Sequence, residues 1–236
     1  KVRLIDCVGY MVSGAAGHME DDQPRFVKTP WSDEKIPFVK AAEIGTRKVM
    51  QDHSTIGIVV TCDGSFSDLS RENYIEAESR TVAEMKKLGK PFIVILNSNH
   101  PYSEVVEKLS KELENLYQVP VLPLNCEQLR KEDVNRIFEN ILKEFPITDV
   151  EFFVPKWVEM LSSDSEIKKN LLEQIKQVMS RINRVQDIIP EKLQMESPYI
   201  SKVKIDTQNL SNGKVSVIID VDEKYYLGEN LDKWQY

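Results

Sequence analysis

The segment RLIDCVGYMVSGAAG, residues 3–17, sets Asp6 and Gly9 in an Asp-x-x-Gly spacing directly after a short apolar run. In nucleotide-hydrolysing sheets this spacing grips a magnesium ion and senses a terminal phosphate. No glycine-rich phosphate loop precedes it here, and a plain strand followed by a turn would read the same way. Two fixed residues recur roughly once by chance in a chain of ordinary composition, so the surrounding elements have to decide. Val2, Leu4 and Ile5 are β-formers, which predicts a strand over 2–6 and puts Asp6 at its carboxyl end, where open α/β sheets bind ligands.

A second candidate follows the run PFIVILN, residues 91–97, as Asn97-Ser98-Asn99-His100. GTPases carry Asn-Lys-x-Asp at such a place, and its aspartate accepts two hydrogen bonds from guanine. Ser98 replaces the lysine and His100 the aspartate. A neutral imidazole does not accept both bonds, so guanine selectivity is expected to be lost. Asn, Ser and Pro also favour ordinary strand-to-helix turns, and that reading stays open for 97–101.

The elements that must hold these residues alternate. Strands are expected at 2–6, 55–62 (TIGIVVTC), 91–97 and 119–124 (VPVLPL). Helices are expected near 38–52, 70–88, 102–117 and 130–144. Ser70 is positioned to cap the second helix, Tyr74, Ala77, Val82, Met85 and Leu88 give it an apolar face, and Gly89 ends it. Continuous apolar strands separated by amphipathic helices predict a parallel sheet covered on both faces, an α/β three-layer domain. The stretch from Tyr10 to Pro37, with Gly14, Gly17, Arg25, Lys28, Trp31 and the acidic run Glu20-Asp21-Asp22, is long for a loop. It reads as a surface insertion or as a nucleotide-responsive switch, with the acidic run solvated.

The pattern changes near Phe145-Pro146. Residues 149–161 read as extended or partly helical, and 164–187 as a long charged helix with Ile167, Leu171, Leu172, Ile175, Val178, Met179 and Ile182 along one side. That stripe suits a coiled coil or a helix packed on a small sheet. Two strands joined through Asn212-Gly213 read as a hairpin. The domains are therefore expected at 1–146, a truncated three-layer domain, and 147–236, an incomplete α+β module.

Composition removes other classes. The chain has 236 residues, 41% of them hydrophobic and 29% charged, with a formal charge of -7. No basic stripe offers itself to phosphate backbones, which argues against nucleic acid. No apolar run reaches membrane-spanning length, and no signal peptide is present. Cys7, Cys62 and Cys126 lack metal spacing and read as reduced core thiols of a cytoplasmic protein. His18, His53 and His100 are too scattered for a metal cluster. The start at Lys1, inside an expected strand and without an initiator Met, leads us to expect an upstream segment.

The runs RLIDCVGYMVSGAAGHMEDDQPR, FVKAAEIGTRKVMQDHSTIGIVVTCDGS, RENYIEAESRTVAEMKKLGKPFIVILNS and LPLNCEQLRKEDV cover most of residues 1–134 and closely resemble the stage IV sporulation protein A family of endospore-forming bacteria. The resemblance implies a P-loop, GTPase-like fold of the TRAFAC class that binds ATP with magnesium rather than GTP. It implies hydrolysis that drives irreversible self-assembly of the spore-coat basement layer. It further implies a Walker A lysine upstream and a localisation region downstream. By the same resemblance the partners are further copies of itself, a small amphipathic membrane-anchoring peptide and other coat morphogenetic proteins. The place is the mother-cell cytoplasm, peripheral on the outer forespore membrane.

Carried over residue by residue, Asp6 resembles the Walker B aspartate that holds magnesium through water, and Gly9 would offer its amide to the γ-phosphate. Asn97, Ser98, Asn99 and His100 match the degenerate base-recognition stretch. Asn125 and Cys126 fall where backbone amides would contact adenine. With the phosphate loop missing, the chain alone is expected not to turn over ATP. A nucleotide-independent scaffold with a relic site is the alternative. In GTPase-like sheets a further strand lies between those matching 2–6 and 55–61. Val2–Asp6 is therefore expected to pair with another chain, to close onto Thr55–Thr61, or to leave the sheet with a displaced 10–37 loop.

Overall fold

A computed structural model describes residues 3–21, 23–209 and 213–226. Val2, Asp22 and Asn212, which figure in the expectations above, lie outside the described residues. The chain divides into two compact units, Lys1–Ile141 and Leu142–Tyr236.

Among the described residues, unit 1 opens without a strand. Residues 3–9 have no regular structure, and Leu4 and Val8 are 86% and 70% exposed. The expected strand over 2–6 is corrected for its described part: residues 3–6 form no ladder with any strand among the described residues, and Ile5 and Asp6 share the lining of one cavity with residues 57–62. β-propensity alone does not make a strand without a ladder of partner groups to satisfy its backbone. Cys7 is accordingly exposed, not a core thiol, whereas Cys62 is buried and Cys126 partly so.

The long 10–37 stretch is not one loop. It folds into two small antiparallel hairpins, β1 (Met19–Glu20) with β2 (Gln23–Pro24) and β3 (Phe26–Thr29) with β4 (Ser32–Pro37). Helix α1 (Phe38–Lys48) follows and runs into one π-helical turn, Val49–His53.

The parallel sheet consists of β5 (Gly57–Cys62), β6 (Phe92–Asn97) and β7 (Val121–Leu124) in the order β5-β6-β7. Gly57 pairs with Phe92 and Cys62 with Asn97, so the strands end level with one another. Helices α2 (Arg71–Leu88), α3 (Glu104–Tyr117) and α4 (Lys131–Lys143) connect and follow them. Central β6 is buried on both faces, with Ile93, Val94 and Leu96 at 0% exposure. Burying each such side chain stabilises by roughly 1.5–3 kcal/mol. Val59, Val94, Leu96 and Val121 meet Val82 and Met85 of α2 and Val106, Leu113 and Tyr117 of α3 in one cluster. Strand β5 has a ladder partner only in β6 among the described residues, and Ile58 and Val60 on it remain 39% and 59% exposed.

Unit 2 is a three-stranded mixed sheet, β8 (Asp149–Phe153), β10 (Lys214–Val221) and β9 (Ile200–Asn209), in the order β8-β10-β9. Short α5 (Lys156–Glu159) and long α6 (Glu166–Arg181) precede β9. The α6 stripe belongs to a helix packed on a sheet, not to a coiled coil. Ile167 and Leu171 join Ile219 and Val221, and Val178 and Ile182 join Val215 and Val217. Leu172 and Met179 of the same stripe stay 51% and 43% exposed. The helix stops at Arg181, short of the expected 187, and a separate 3-10 turn covers Val185–Asp187.

Candidate functional site

Level strand ends in a parallel sheet bring the residues after each strand to one rim, which is where ligands bind in such sheets. Three turns meet there: Asp63–Ser65 after β5, Ser98–His100 after β6 and Asn125–Gln128 after β7.

Hydrogen bonds knit these turns together. The Asn97 side-chain oxygen accepts the Cys126 N–H at 2.9 Å, tying the end of β6 to the turn after β7. Asn99 donates its N–H to Ser65 Oγ at 2.8 Å and its side-chain amide to Ser65 O at 2.5 Å, tying the same turn to that after β5. Asn125 Oδ1 accepts from the N–H groups of Glu127 and Gln128 and caps a 3-10 turn. Ser98 is fully buried, and its Oγ accepts the His100 N–H at 3.0 Å. The Cys126 amide thus already has an acceptor, and Asn97, Asn99 and Ser98 shape the rim from within. His100 and Asn99 are exposed on it. Asn99, His100, Tyr102, Asn125 and Arg130 border a cavity of about 380 Å³.

Asp6 and Gly9 lie in a different cavity, of about 530 Å³, whose walls include Thr46, Val60, Cys62, Glu78 and Asn97. Asn97 is therefore the candidate that borders this cavity while its side chain bonds to the turn after β7, which borders the other. Asp6 is exposed, and its Oδ1 accepts the N–H of Cys7 at 2.8 Å. One exposed carboxylate with an oxygen to spare suits a magnesium ion held through water. Among the described residues no group of three His, Cys, Asp or Glu could ligate a metal directly. Gly9, at a φ of +83° that disfavours any side chain, gives its N–H to Thr46 Oγ1 at 3.1 Å.

Without a sheet partner, this segment is anchored by the residue after it. The hydroxyl of Tyr10 donates to Glu84 on α2. The Arg80 guanidinium sits 4.2 Å from the centre of its ring, and Arg80 and Arg47 both pair with Glu84. Burial, then the hydrogen bond to Glu84, pushes the Tyr10 phenol up to about 12, against the opposing pull of Arg47. Further along, Ser13 and Asn73 exchange hydrogen bonds with each other.

The sequence reading missed Thr46, Asp63, Ser65 and the buried pair Arg71–Glu78. Asp63 carried part of the signal of Asp6, a carboxylate directly after an apolar run, with its glycine adjacent and not three residues on. Burial raises the Asp63 carboxyl, but hydrogen bonds from Ser65 and Ser98 outweigh it and leave it below the usual range. Gly64 beside it has a φ of +92°, and a Cβ there would stand 2.8 Å from the Arg71 backbone nitrogen, so the turn fits tightly against the start of α2. The expected Ser70 cap is corrected in chemistry, not in position. Ser70 precedes α2, but its Oγ donates to the Asn73 side chain and caps no backbone N–H.

No helix among the described residues is long and apolar enough to cross a membrane. No solved structure matches the chain. Among curated proteins, stage IV sporulation protein A of Clostridioides difficile (strain 630) is 43% identical over 98% of this chain and 47% of its own length. That of Bacillus subtilis (strain 168) is 44% identical over 79% of this chain and 38% of its own length. The chain thus spans about half or less of the relatives it matches. Residues 1–146 match the model for the stage IV sporulation protein A ATPase domain, and residues 147–232 match that for its middle domain. The chain belongs to the stage IV sporulation protein A family.

Proposed function

We propose that this chain carries the nucleotide-binding rim of an ATPase of the P-loop, GTPase-like kind whose turnover drives self-assembly of a spore-coat layer on the forespore surface. The observation that supports this reading is the meeting of three strand-end turns at one rim, with Asp6 and Gly9 lining an adjoining cavity that Asn97 also borders. Asp6 would hold magnesium through water, and the ion, when bound, would neutralise charge on the phosphates. Gly9 would have to exchange Thr46 for a phosphate oxygen, while Tyr10 keeps the segment anchored to α1 and α2. The names of the relatives support the link to sporulation.

A nucleotide-independent scaffold draws support from the prior engagement of the two amides, Gly9 with Thr46 and Cys126 with Asn97. ATP hydrolysis and sedimentation of the full-length gene product, with and without magnesium, separate the two. Magnesium-dependent hydrolysis accompanied by nucleotide-dependent pelleting is expected, and Asp6→Ala should reduce turnover more than initial ATP binding. Pelleting that ignores nucleotide, in a protein that hydrolyses none, would establish the scaffold.

A further inference from the structure

We propose that Tyr102 is the surface on which a purine base stacks in the cavity between the turns after β6 and β7. The inference rests on the nucleotide reading above and assigns residues within it. A flat heterocycle entering a cavity of about 380 Å³ needs cover for its faces and partners for its edge.

For the faces, Tyr102 borders the cavity at 71% exposure, and its hydroxyl makes no hydrogen bond among the described residues. A large aromatic ring left in water beside a cavity is available for stacking, which accepts any base because every base has a π-face. Ser98 does not serve this purpose, because it is fully buried with its Oγ turned to the His100 amide. The planar guanidinium of Arg130 borders the same cavity, pairs with no acid among the described residues, and is a second group that stacks on rings.

For the edge, Asn99 spends its side-chain N–H₂ on Ser65 O and keeps Oδ1 as an acceptor. Asn125 spends Oδ1 on two backbone amides and keeps its side-chain N–H₂ as a donor. One acceptor and one donor at the same cavity answer a base edge that presents an amino group beside a ring nitrogen. Asp133 also borders the cavity, but it accepts the Arg130 N–H at 3.0 Å and faces Arg136, so it holds the start of α4.

Equilibrium dialysis of radiolabelled ATP against the full-length gene product tests the assignment, with Tyr102→Phe, Tyr102→Ala and Arg130→Ala as variants. Photolabelling with an azido-adenine analogue of ATP adds a map of contacts. Tyr102→Phe should bind as the parent does, while Tyr102→Ala should bind about 10-fold more weakly, the loss of one base–aromatic stack. The label should fall within 99–103 or 125–133. Parent-like binding by Tyr102→Ala, or a label confined to 6–10, overturns the stacking assignment and leaves the nucleotide reading standing. Absence of ATP binding by the full-length parent overturns both. Tyr102 and Arg130 are exposed, so neither truncation opens a core, and circular dichroism of each variant should match the parent.

Discussion

Tyr117 on α3 donates its hydroxyl to Glu78 on α2 at 2.7 Å, across 39 residues of sequence, and the carboxylate that receives it is 4% exposed. The same carboxylate accepts Thr61 Oγ1 at 2.6 Å and pairs with Arg71, which also donates to the Cys62 carbonyl at 3.3 Å. One buried charge thereby joins both helices to the end of β5, immediately before the Asp63–Ser65 turn of the rim. Arg71→Met leaves that charge without its cation and should cost about 3–5 kcal/mol, whereas Tyr117→Phe removes one hydrogen bond among several and should cost about 1 kcal/mol. Urea denaturation followed by a probe in unit 1 reads both. Equal losses in the two variants would show that the carboxylate does not depend on Arg71.

Lys90, just before β6, donates its ammonium to the carbonyls of Met50, Gln51 and Ser54 at 2.6–2.7 Å. These are carbonyls of the π-helical turn that ends the first helical segment and of the residue after it, groups a helix end leaves without partners. Lys90→Met keeps most of the stem's apolar contact and loses the donor. It should lower stability by about 1.5–3 kcal/mol, the range for hydrogen bonds from a charged group. Thermal melts of parent and variant at equal concentration check this, and coincident melts would mean that water replaces the lysine at little cost.

Elements with a local signature were legible in the sequence. TIGIVVTC, PFIVILN and VPVLPL are apolar runs, and they form β5, β6 and β7; central β6, buried on both faces, has no reason to alternate, while β5 keeps an apolar face that is partly exposed. Leu4 and Ile5 looked the same, yet stand free of the sheet. Whether a short apolar run joins a sheet depends on the groups beside it, and periodicity does not report those. The two hairpins in 19–37 were hidden for a related reason. Their strands are two to six residues long and largely exposed, so no apolar alternation marks them. At the rim, Asn97 and Asn99 stood out by type. Their work as staples to Cys126 and Ser65 joins turns 29 and 34 residues apart, and only the register of three strands sets that.

Burial of Ser98 changes what a base-preference experiment should show. Restoring a GTPase-like stretch with Ser98→Lys and His100→Asp would place an ammonium where a 0% exposed side chain now closes the turn. Overpacking alone costs about 1–3 kcal/mol, before any desolvation of the charge. His100 is exposed, so His100→Asp alone should fold as the parent does and shift competition between ATP and GTP toward GTP, while the double variant should melt lower. An unchanged ATP/GTP ratio in His100→Asp would place base selection on other residues of the cavity.

In unit 2, Glu144 is 4% exposed, one carboxylate oxygen pairs with Arg184 at 2.5 Å, and the other, Oε1, makes no hydrogen bond within ordinary distance among the described residues. Burial raises its carboxyl above the usual range, against the pull of Arg184 and with nearby Asp187 adding to the rise. A raised carboxyl contributes stability that is whole below its unfolded value near 4.5 and is lost as pH climbs through the folded value. At pH 7 the ionised form is therefore the disfavoured one. The Arg184 side chain is 42% exposed and recovers water when its partner becomes neutral. Glu144→Gln should then melt at or above the parent at pH 7 and lose that advantage toward pH 4. A variant that melts several degrees lower at pH 7 would show the ion pair to be net stabilising.

Tyr10 gives the sharpest pH dependence. Its phenol is buried, bonded to Glu84 and covered by Arg80, and it is pushed from 10.0 up to about 12. Between those values the unfolded chain releases this proton and the folded one keeps it. The stability tied to the shift is therefore whole below pH 10 and drains away as pH rises toward 12. Tyr10→Phe keeps the ring under Arg80 and loses the hydroxyl, which should cost about 1 kcal/mol at neutral pH because Glu84 retains both arginines. The gap between parent and variant should then narrow between pH 10 and 12, since the remaining tyrosines titrate in both proteins and cancel. Urea midpoints at pH 8, 10 and 11, read beside phenolate absorbance, test it. A gap that stays constant would mean that Tyr10 ionises freely, and with it the anchor that holds Asp6 and Gly9 against α1 and α2 would be loose.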